Sequence, residues 1–297
     1  MQHAARRKRR HLSGFDLFNY ALMAVLMVLM LYPIYYCAIV SISDGKAVVQ
    51  GRVMFYPIGF SLTAYNTVLS NSQIIRSYGN TILYTTVGTA INLLMSTICA
   101  YPLSRPGLKG RSVINSIMLF TMFFSGGMIP MYLQIKRLGI DDTMWAVILP
   151  GAISTYNMII MRTFFSSLPE ELHESANIDG ANSYQILLRI VLPLSMSILA
   201  TMVLFYAVSH WNSYLSALLY LNDAKKFPLQ MVLRNLIIDS NLANFTSSNA
   251  SNSAESLVTE SKLKYAAVIV SILPILCVYP ILQKYFVKGV MIGAVKG

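Results

Sequence analysis

Apolar residues in this chain come in long runs unbroken by charge, rather than in the alternating or short helical stripes of water-soluble folds. Six runs contain no Asp, Glu, Lys or Arg: Leu17–Ser43, Ser77–Ser104, Ser112–Ile135, Thr143–Met161, Ile190–Asn222 and Tyr265–Gln283. The shortest has 19 residues and the longest 33, and about 20 residues of helix cross the hydrocarbon core of a bilayer. A single charge at the bilayer centre costs roughly 2.5–3.5 kcal/mol on insertion scales, so freedom from charge is the sharpest mark of a span. Each run is expected to be a transmembrane helix. A seventh charge-free stretch, Val53–Ile75, carries Pro57, Gly59, Asn66, Asn71 and Gln73; it is too polar to leave water and is expected to be a structured loop.

Composition fits the same solvent. Of 297 residues, 55% are hydrophobic and 12% charged, with a mean hydropathy of +0.56. A soluble domain carries about 25% charged residues, so this chain lacks the solvated groups to cover a globule of its size, and soluble enzyme classes are set aside. The net charge of +11 resembles a nucleic-acid signal until it is located: five of the 23 Lys and Arg form the tract Arg6-Arg7-Lys8-Arg9-Arg10, directly before the first run. Nucleic-acid faces spread basic residues among aromatics, whereas a basic flank on an apolar run sets membrane topology. The first run also exceeds the apolar core of about 7–15 residues in a secretory signal peptide. Cys37, Cys99 and Cys277 all fall inside runs and read as small core hydrophobes.

With the basic N-terminus inside, the connecting segments 1–16, 105–111, 162–189 and 284–297 hold 13 Lys and Arg in 65 residues, against 10 in 82 for 44–76, 136–142 and 223–264. This bias expects both termini to be cytoplasmic. The expected organisation is a basic tail, 1–16, and a six-helix membrane domain, 17–297, with outer loops 44–76 and 223–264 and one long inner loop, 162–189. An ion-coupled carrier acting alone would place acids or bases inside its spans or show inverted repeats; neither is present in this sequence.

The inner loop is acidic, with Glu170, Glu171, Glu174 and Asp179 against Arg162 and Arg189. Pro169 suits a first helical turn. Leu172, Ser175, Ala176 and Asp179 then recur at helical spacing, as do Tyr184, Leu187, Leu188 and Val191 after Gly180. Gly180 tolerates a left-handed turn, and Asn182 followed by Gln185 matches a capping box, so helix, turn, helix is expected. Glu174-Ser175-Ala176, three residues, Gly180, nine residues, then Ile190-Val191-Leu192-Pro193 resembles the EAA signature of ABC importer permeases. Fixing five such positions by chance has a probability on the order of 10⁻⁶ per window at average residue frequencies. Ser175 is the single departure, a small residue for the usual Ala. From Ser125-Gly126-Gly127-Met128-Ile129-Pro130 through Leu138 to Gly151 the chain is also similar to sugar-importer permeases, the MalG-type, oligosaccharide-handling branch.

The resemblance implies an all-α, six-helix, MetI-like (type I ABC importer) permease fold in the bacterial cell membrane. It implies that Glu174, Ser175, Ala176, Asp179, Gly180 and Pro193 couple the chain to a cytoplasmic ATPase, and that oligosaccharide moves by alternating access. The implied partners are a second, non-identical permease, two ATPase subunits, an extracellular substrate-binding protein and the lipid bilayer, with no nucleic acid. The sequence contains no G-x-x-x-x-G-K-[ST] loop, so ATP and Mg belong to the partner ATPase and no cofactor or metal is expected here. Leu192-Pro193 is expected to stiffen the join to the fifth run. An ABC permease for a non-sugar solute is the alternative within the family.

Sugars bind through hydrogen-bonding side chains and aromatic faces. Tyr156, Asn157, Tyr206, His210, Trp211, Asn212 and Tyr214 are the pathway candidates in the fourth and fifth runs, although aromatic residues near span ends also form interfacial belts and Asn bonds neighbouring helices. Gly126-Gly127 and Pro130 fit a bend or close helix packing. In the outer loop, 222–238 is expected to be a folded docking surface and the Ser- and Asn-rich 239–260 a mobile tip.

Overall fold

The computed structural model describes residues 13–246 and 262–280. The basic tract, positions 247–260 of the expected tip and the C-terminal segment beyond 280 lie outside the described residues. Three helices are long and apolar enough to span a membrane singly: Gly14–Ser41, Ser72–Ser104 and Lys262–Pro280. Three more spans pass only as bent pairs, Arg111–Phe123 with Met128–Arg137 at 109°, Met144–Gly151 with Thr155–Ser166 at 50°, and Ser183–Leu194 with Met196–Trp211 at 83°. Among the described residues there is no strand. The fold is all-α with six transmembrane spans, and half of them are broken.

Each break has a local cause. In the third span Gly127 sits at φ 87°, ψ 178°, a conformation costly for residues with a Cβ. In the fourth span a short 3-10 turn, Leu149–Gly151, ends the first segment, and Ser154 caps the second by accepting the Asn157 N–H. In the fifth, Leu187–Val191 is a π-turn followed by Pro193. Proline has no N–H to give to the preceding turn, and a π-turn carries one extra residue per turn. The join expected to be stiff is therefore the sharp corner at Ser195.

By packing, the described residues fall into two compact units, 13–68 with 240–246 and 262–269, and 69–239 with 270–280. In the first unit, the end of the opening helix clusters Ile39 and Val40 with Ala47, Val53, Ile58 and Tyr265. The polar stretch after it folds back as a loop: the Asp44 N–H donates to the Ile58 carbonyl at 2.7 Å and the Ser61 N–H to the Ile42 carbonyl at 2.9 Å. Gly59, at φ +65°, fits here because a Cβ would come within 2.8 Å of the Asp44 Cβ. The loop becomes helical at Thr63–Ser70.

In the second unit, Ser72–Ser104 is the central post, packing against Met196–Trp211 and Thr155–Ser166. Ser77, Thr81, Tyr84, Gly88, Asn92, Ser96 and Ala100 lie along one buried stripe at three- and four-residue spacing. Small residues let helix backbones approach closely inside a membrane, where the hydrophobic effect gives helices no mutual attraction. Outside these seams apolar side chains stay uncovered: none of Arg111–Phe123 is buried, and most of Gly14–Ser41 is exposed. Cys277, expected in a core, is also exposed, while Cys37 and Cys99 are half-buried. Lipid and partner chains are the natural cover for such surfaces. The stretch expected to be a folded docking surface, 222–238, contains the start of a helix that runs from Leu229 to Thr246, so the beginning of the expected tip is helical.

At the N-terminal end of the post, the loop after Tyr220 is fastened by Asp142. This residue adopts φ 52°, a left-handed conformation that Asp and Asn tolerate. One carboxylate oxygen accepts the N–H groups of Asn222 and Asp223 at 2.9 and 3.1 Å, and the other meets the Lys226 ammonium at 2.5 Å. The Lys226 hydrogen bond first, and then the two backbone N–H groups, lower the Asp142 pKa from 3.8 to about 2. Asn80 and Tyr84 on the post bond the carbonyls of Lys225, Phe227 and Lys226, and the Leu229 N–H donates to Thr81 Oγ1 at 2.7 Å. Because the folded pKa is depressed, this carboxylate's contribution is complete above pH 3.8 and is lost as pH falls toward 2. Asp142→Asn keeps the backbone conformation and one acceptor but loses the charge pair. It is expected to destabilise the purified protein by roughly 1 kcal/mol, since the pair is partly exposed, and to flatten the acid limb of a thermal-unfolding pH profile.

Candidate functional site

The inner loop forms the expected helix-turn-helix. Glu171–Ile178 is helical with Glu171 and Glu174 in its first turn, where carboxylates favour the positive end of the helix dipole. The helix ends in a full Schellman motif: the Gly180 N–H donates to the Asn177 carbonyl at 3.1 Å and the Ala181 N–H to the Ala176 carbonyl at 2.9 Å. Gly180 takes φ +78°, which explains glycine at this position. Asn182 and Gln185 then close a capping box, both hydrogen bonds being 2.9 Å. The turn between the two helices is thus fixed at both ends.

One face of this segment is buried against the post and the fourth span. Ala176, Ile186, Leu187 and Val191 join a cluster with Tyr101, Met158, Met161 and Phe165. The inward residues of the first helix are His173 and Ala176, whereas Leu172, on the stripe read from spacing, is exposed. The Tyr101 ring stacks on His173 with centroids 6.2 Å apart, which selects that face. Burial first, and then the Arg105 charge, lower the His173 pKa, with Glu170 opposing. Arg105 at the end of the post pairs with Glu170 at 2.6 Å, and Ser166 Oγ donates to the Ser104 carbonyl at 3.2 Å.

The other face is free. Glu174, Ser175, Asp179, Gly180 and Pro193 are exposed and only Ala176 of the six candidates is buried. Ser175 in place of Ala therefore puts its hydroxyl in water, with no buried partner to find. Ile178, which sequence spacing did not single out, is 85% exposed, and Tyr184, which spacing placed on the apolar stripe of the second helix, is 79% exposed; both stand beside the exposed acids. Ile178 lies directly before Asp179, off the apolar stripe, and that misplacement was its signal in the sequence.

The pathway candidates separate into groups. Tyr206 is buried, its hydroxyl 2.6 Å from Ser96 Oγ. His210 Nε2 lies 2.6 Å from Asn92 Oδ1, and Asn92 Nδ2 donates to the Gly151 carbonyl at 2.5 Å. Since the Asn92 amide nitrogen is committed to Gly151, its oxygen accepts, and His210 carries its proton on Nε2. A Cβ on Gly88 would stand 2.5 Å from the same imidazole nitrogen. Trp211 is buried, donating to the Ser271 carbonyl at 3.2 Å with its ring edge-on to Tyr78. Asn157 is buried, whereas Tyr156, Asn212 and Tyr214 are exposed, and the Arg234 guanidinium stands 6.0 Å from the Tyr214 ring centre. Gly88, Asn92 and Ser96 were not among the candidates. Their signal was present as a small and polar residue every fourth position in an otherwise apolar run. No group of three His, Cys, Asp or Glu is arranged to hold a metal among the described residues.

Residues 92–292 match the family described as the binding-protein-dependent transport system inner membrane component. Protein LplC of Bacillus subtilis is 44% identical over 95% of both chains. The polygalacturonan/rhamnogalacturonan transport system permease protein YtcP of the same organism is 41% identical over 95% of this chain and 98% of its own. Among solved structures, a chain of a bacterial ABC transporter involved in the import of the acidic polysaccharide alginate aligns with a TM-score of 0.83 and 36% identity, covering 96% of this chain and all of that one.

The Asn92 node gives a coupling test. Gly88→Ala forces the His210 ring away from Asn92 and is expected to cost about 1–3 kcal/mol. His210→Ala leaves the Asn92 oxygen unpaired and costs a similar amount. Thermal unfolding of the double variant should show much less than the sum, because the alanine at 210 vacates the space that the new methyl needs. Additive losses would refute the packing described.

Proposed function

Given that the chain belongs to the binding-protein-dependent transport system inner membrane component family, whose members here are transport permeases and not enzymes, we propose that it carries an oligosaccharide inward by alternating access, driven by a separate ATPase. It is a membrane permease subunit of an importer served by a substrate-binding protein. The observation that carries the coupling reading is the helix-turn-helix at 171–194: rigidly capped, packed on the post by one face, and presenting Glu174, Asp179, Ile178 and Tyr184 on the other. A chain with no nucleotide-binding loop must receive work through such a shape-matched contact. Large exposed apolar side chains amid charge are typical anchors of protein interfaces.

In this reading the termini and the 162–189 loop face the cytoplasm, a second, non-identical permease completes the pathway, and two ATPase subunits bind the exposed face of the loop. ATP and Mg reside in those subunits. Closure of the ATPase pair swings the loop, and the corner at Ser195 passes that movement to Met196–Trp211, which is bonded to the post through Tyr206 and His210. The oligosaccharide assignment is supported by the names of the relatives and of the aligned structure. Tyr214 with Arg234 offers an aromatic face beside a guanidinium, a combination suited to a sugar ring bearing an acidic group.

Tagged chain purified from membranes in mild detergent is expected to bring down a second permease and an ATPase, with hydrolysis stimulated by a loaded binding protein. Ile178→Asp, Glu174→Lys and Gly180→Pro should each reduce ATPase recovery about tenfold or more, the loss of one interface anchor, while membrane insertion is unchanged. Recovery of the chain alone, with uptake abolished by an uncoupler, would instead support an ion-coupled carrier.

A further inference from the structure

A cavity of about 980 Å³ opens between the C-terminal half of the post and the helix-turn-helix, at the upper end of the range for small-molecule sites. Its walls are graded. At one end stand Leu94 and Ile98, both more than half exposed on a membrane helix. At the other stand Arg105, His173 and Asn177. Leu94 lies on the post and Arg105, eleven residues on, is the residue that caps its C-terminal end, a rise of about 16 Å at 1.5 Å per residue. That distance is close to one leaflet's share of a hydrocarbon core about 30 Å thick. The groove therefore has the length and polarity gradient of a single lipid in its leaflet.

The polar end has unused capacity. His173 is 3% exposed and its Nδ1 has no hydrogen-bond partner, a costly arrangement for a buried polar atom. Arg105 has five N–H donors, and among the described residues its ion pair is with Glu170. A free sugar or soluble anion would leave the apolar limb unfilled, and an apolar helix of another subunit would offer nothing to His173 or to the Arg105 donors that do not meet Glu170.

We propose that this groove is a binding site for one anionic phospholipid, its phosphate held by Arg105 and the His173 side chain and an acyl chain lying along Leu94 and Ile98. The lipid bridges the post and the helix-turn-helix. Its consequence for coupling rests on the function proposed above, whereas its binding does not.

The test is native mass spectrometry of the membrane-purified complex exchanged into phosphatidylcholine with and without phosphatidylglycerol, with inorganic phosphate as a separate arm. The wild type should retain phosphatidylglycerol selectively. Arg105→Gln, which keeps a hydrogen-bonding group toward Glu170, should weaken retention about tenfold, the equivalent of one charge-assisted contact, and Ile98→Trp, which fills the apolar limb from an exposed position, should weaken it by displacing the acyl chain. Lys109→Gln, outside the groove lining, should retain lipid as the wild type does. Equal retention by all variants, displacement by inorganic phosphate alone, or cross-linking of Ile98→Cys to another subunit with no lipid bound would each overturn the site. ATPase recovery measured on the same preparations separates the two readings: selective lipid retention without ATPase would remove the coupling role and leave this site standing.

Discussion

A helix broken inside a bilayer leaves backbone carbonyls with no water to receive them, and each must find a donor within the protein. In this chain the carbonyl of Gly151, at the break in the fourth span, is met by the Asn92 amide, whose oxygen in turn takes the His210 proton. One asparagine thereby ties three spans together at a depth where an unmet group costs several kcal/mol. Gly88 makes room for the imidazole. With this node in place the bent spans can be both irregular and fixed, and irregular helices are what allow a membrane bundle to line a pathway.

The same post serves a different purpose at each end. Its N-terminal end holds the Asp142–Lys226 clasp and the loop that follows it, through Asn80, Thr81 and Tyr84. Its C-terminal end holds the helix-turn-helix through Tyr101 and Arg105. A single helix of 33 residues connects them, so that a shift at one end is felt at the other without any need for a special relay.

The spans and the inner helix-turn-helix were legible in the sequence because their causes are local. Charge-free runs mark spans by solvation alone, and Gly180, Asn182 and Gln185 mark caps by backbone geometry within four residues. The breaks were less legible, since hydropathy averages over a run and does not sense φ at Gly127 or the missing donor at Pro193. The inward face of 171–178 was not legible either, because Tyr101 decides it from a distant part of the chain. Asn92 and His210 lie 118 positions apart, and no spacing rule in a single sequence joins them.

The uncovered apolar flank of Gly14–Ser41, together with Arg111–Phe123, which buries nothing of its own, has a thermodynamic consequence. Whatever covers those faces binds the folded chain and stabilises it by mass action. Folding free energy is then a joint property of the chain, its lipids and its neighbouring subunits. A melting temperature recorded for the isolated polypeptide is a function of the amphiphile around it, and comparing variants has meaning only at a fixed ratio of detergent, lipid and partner to protein.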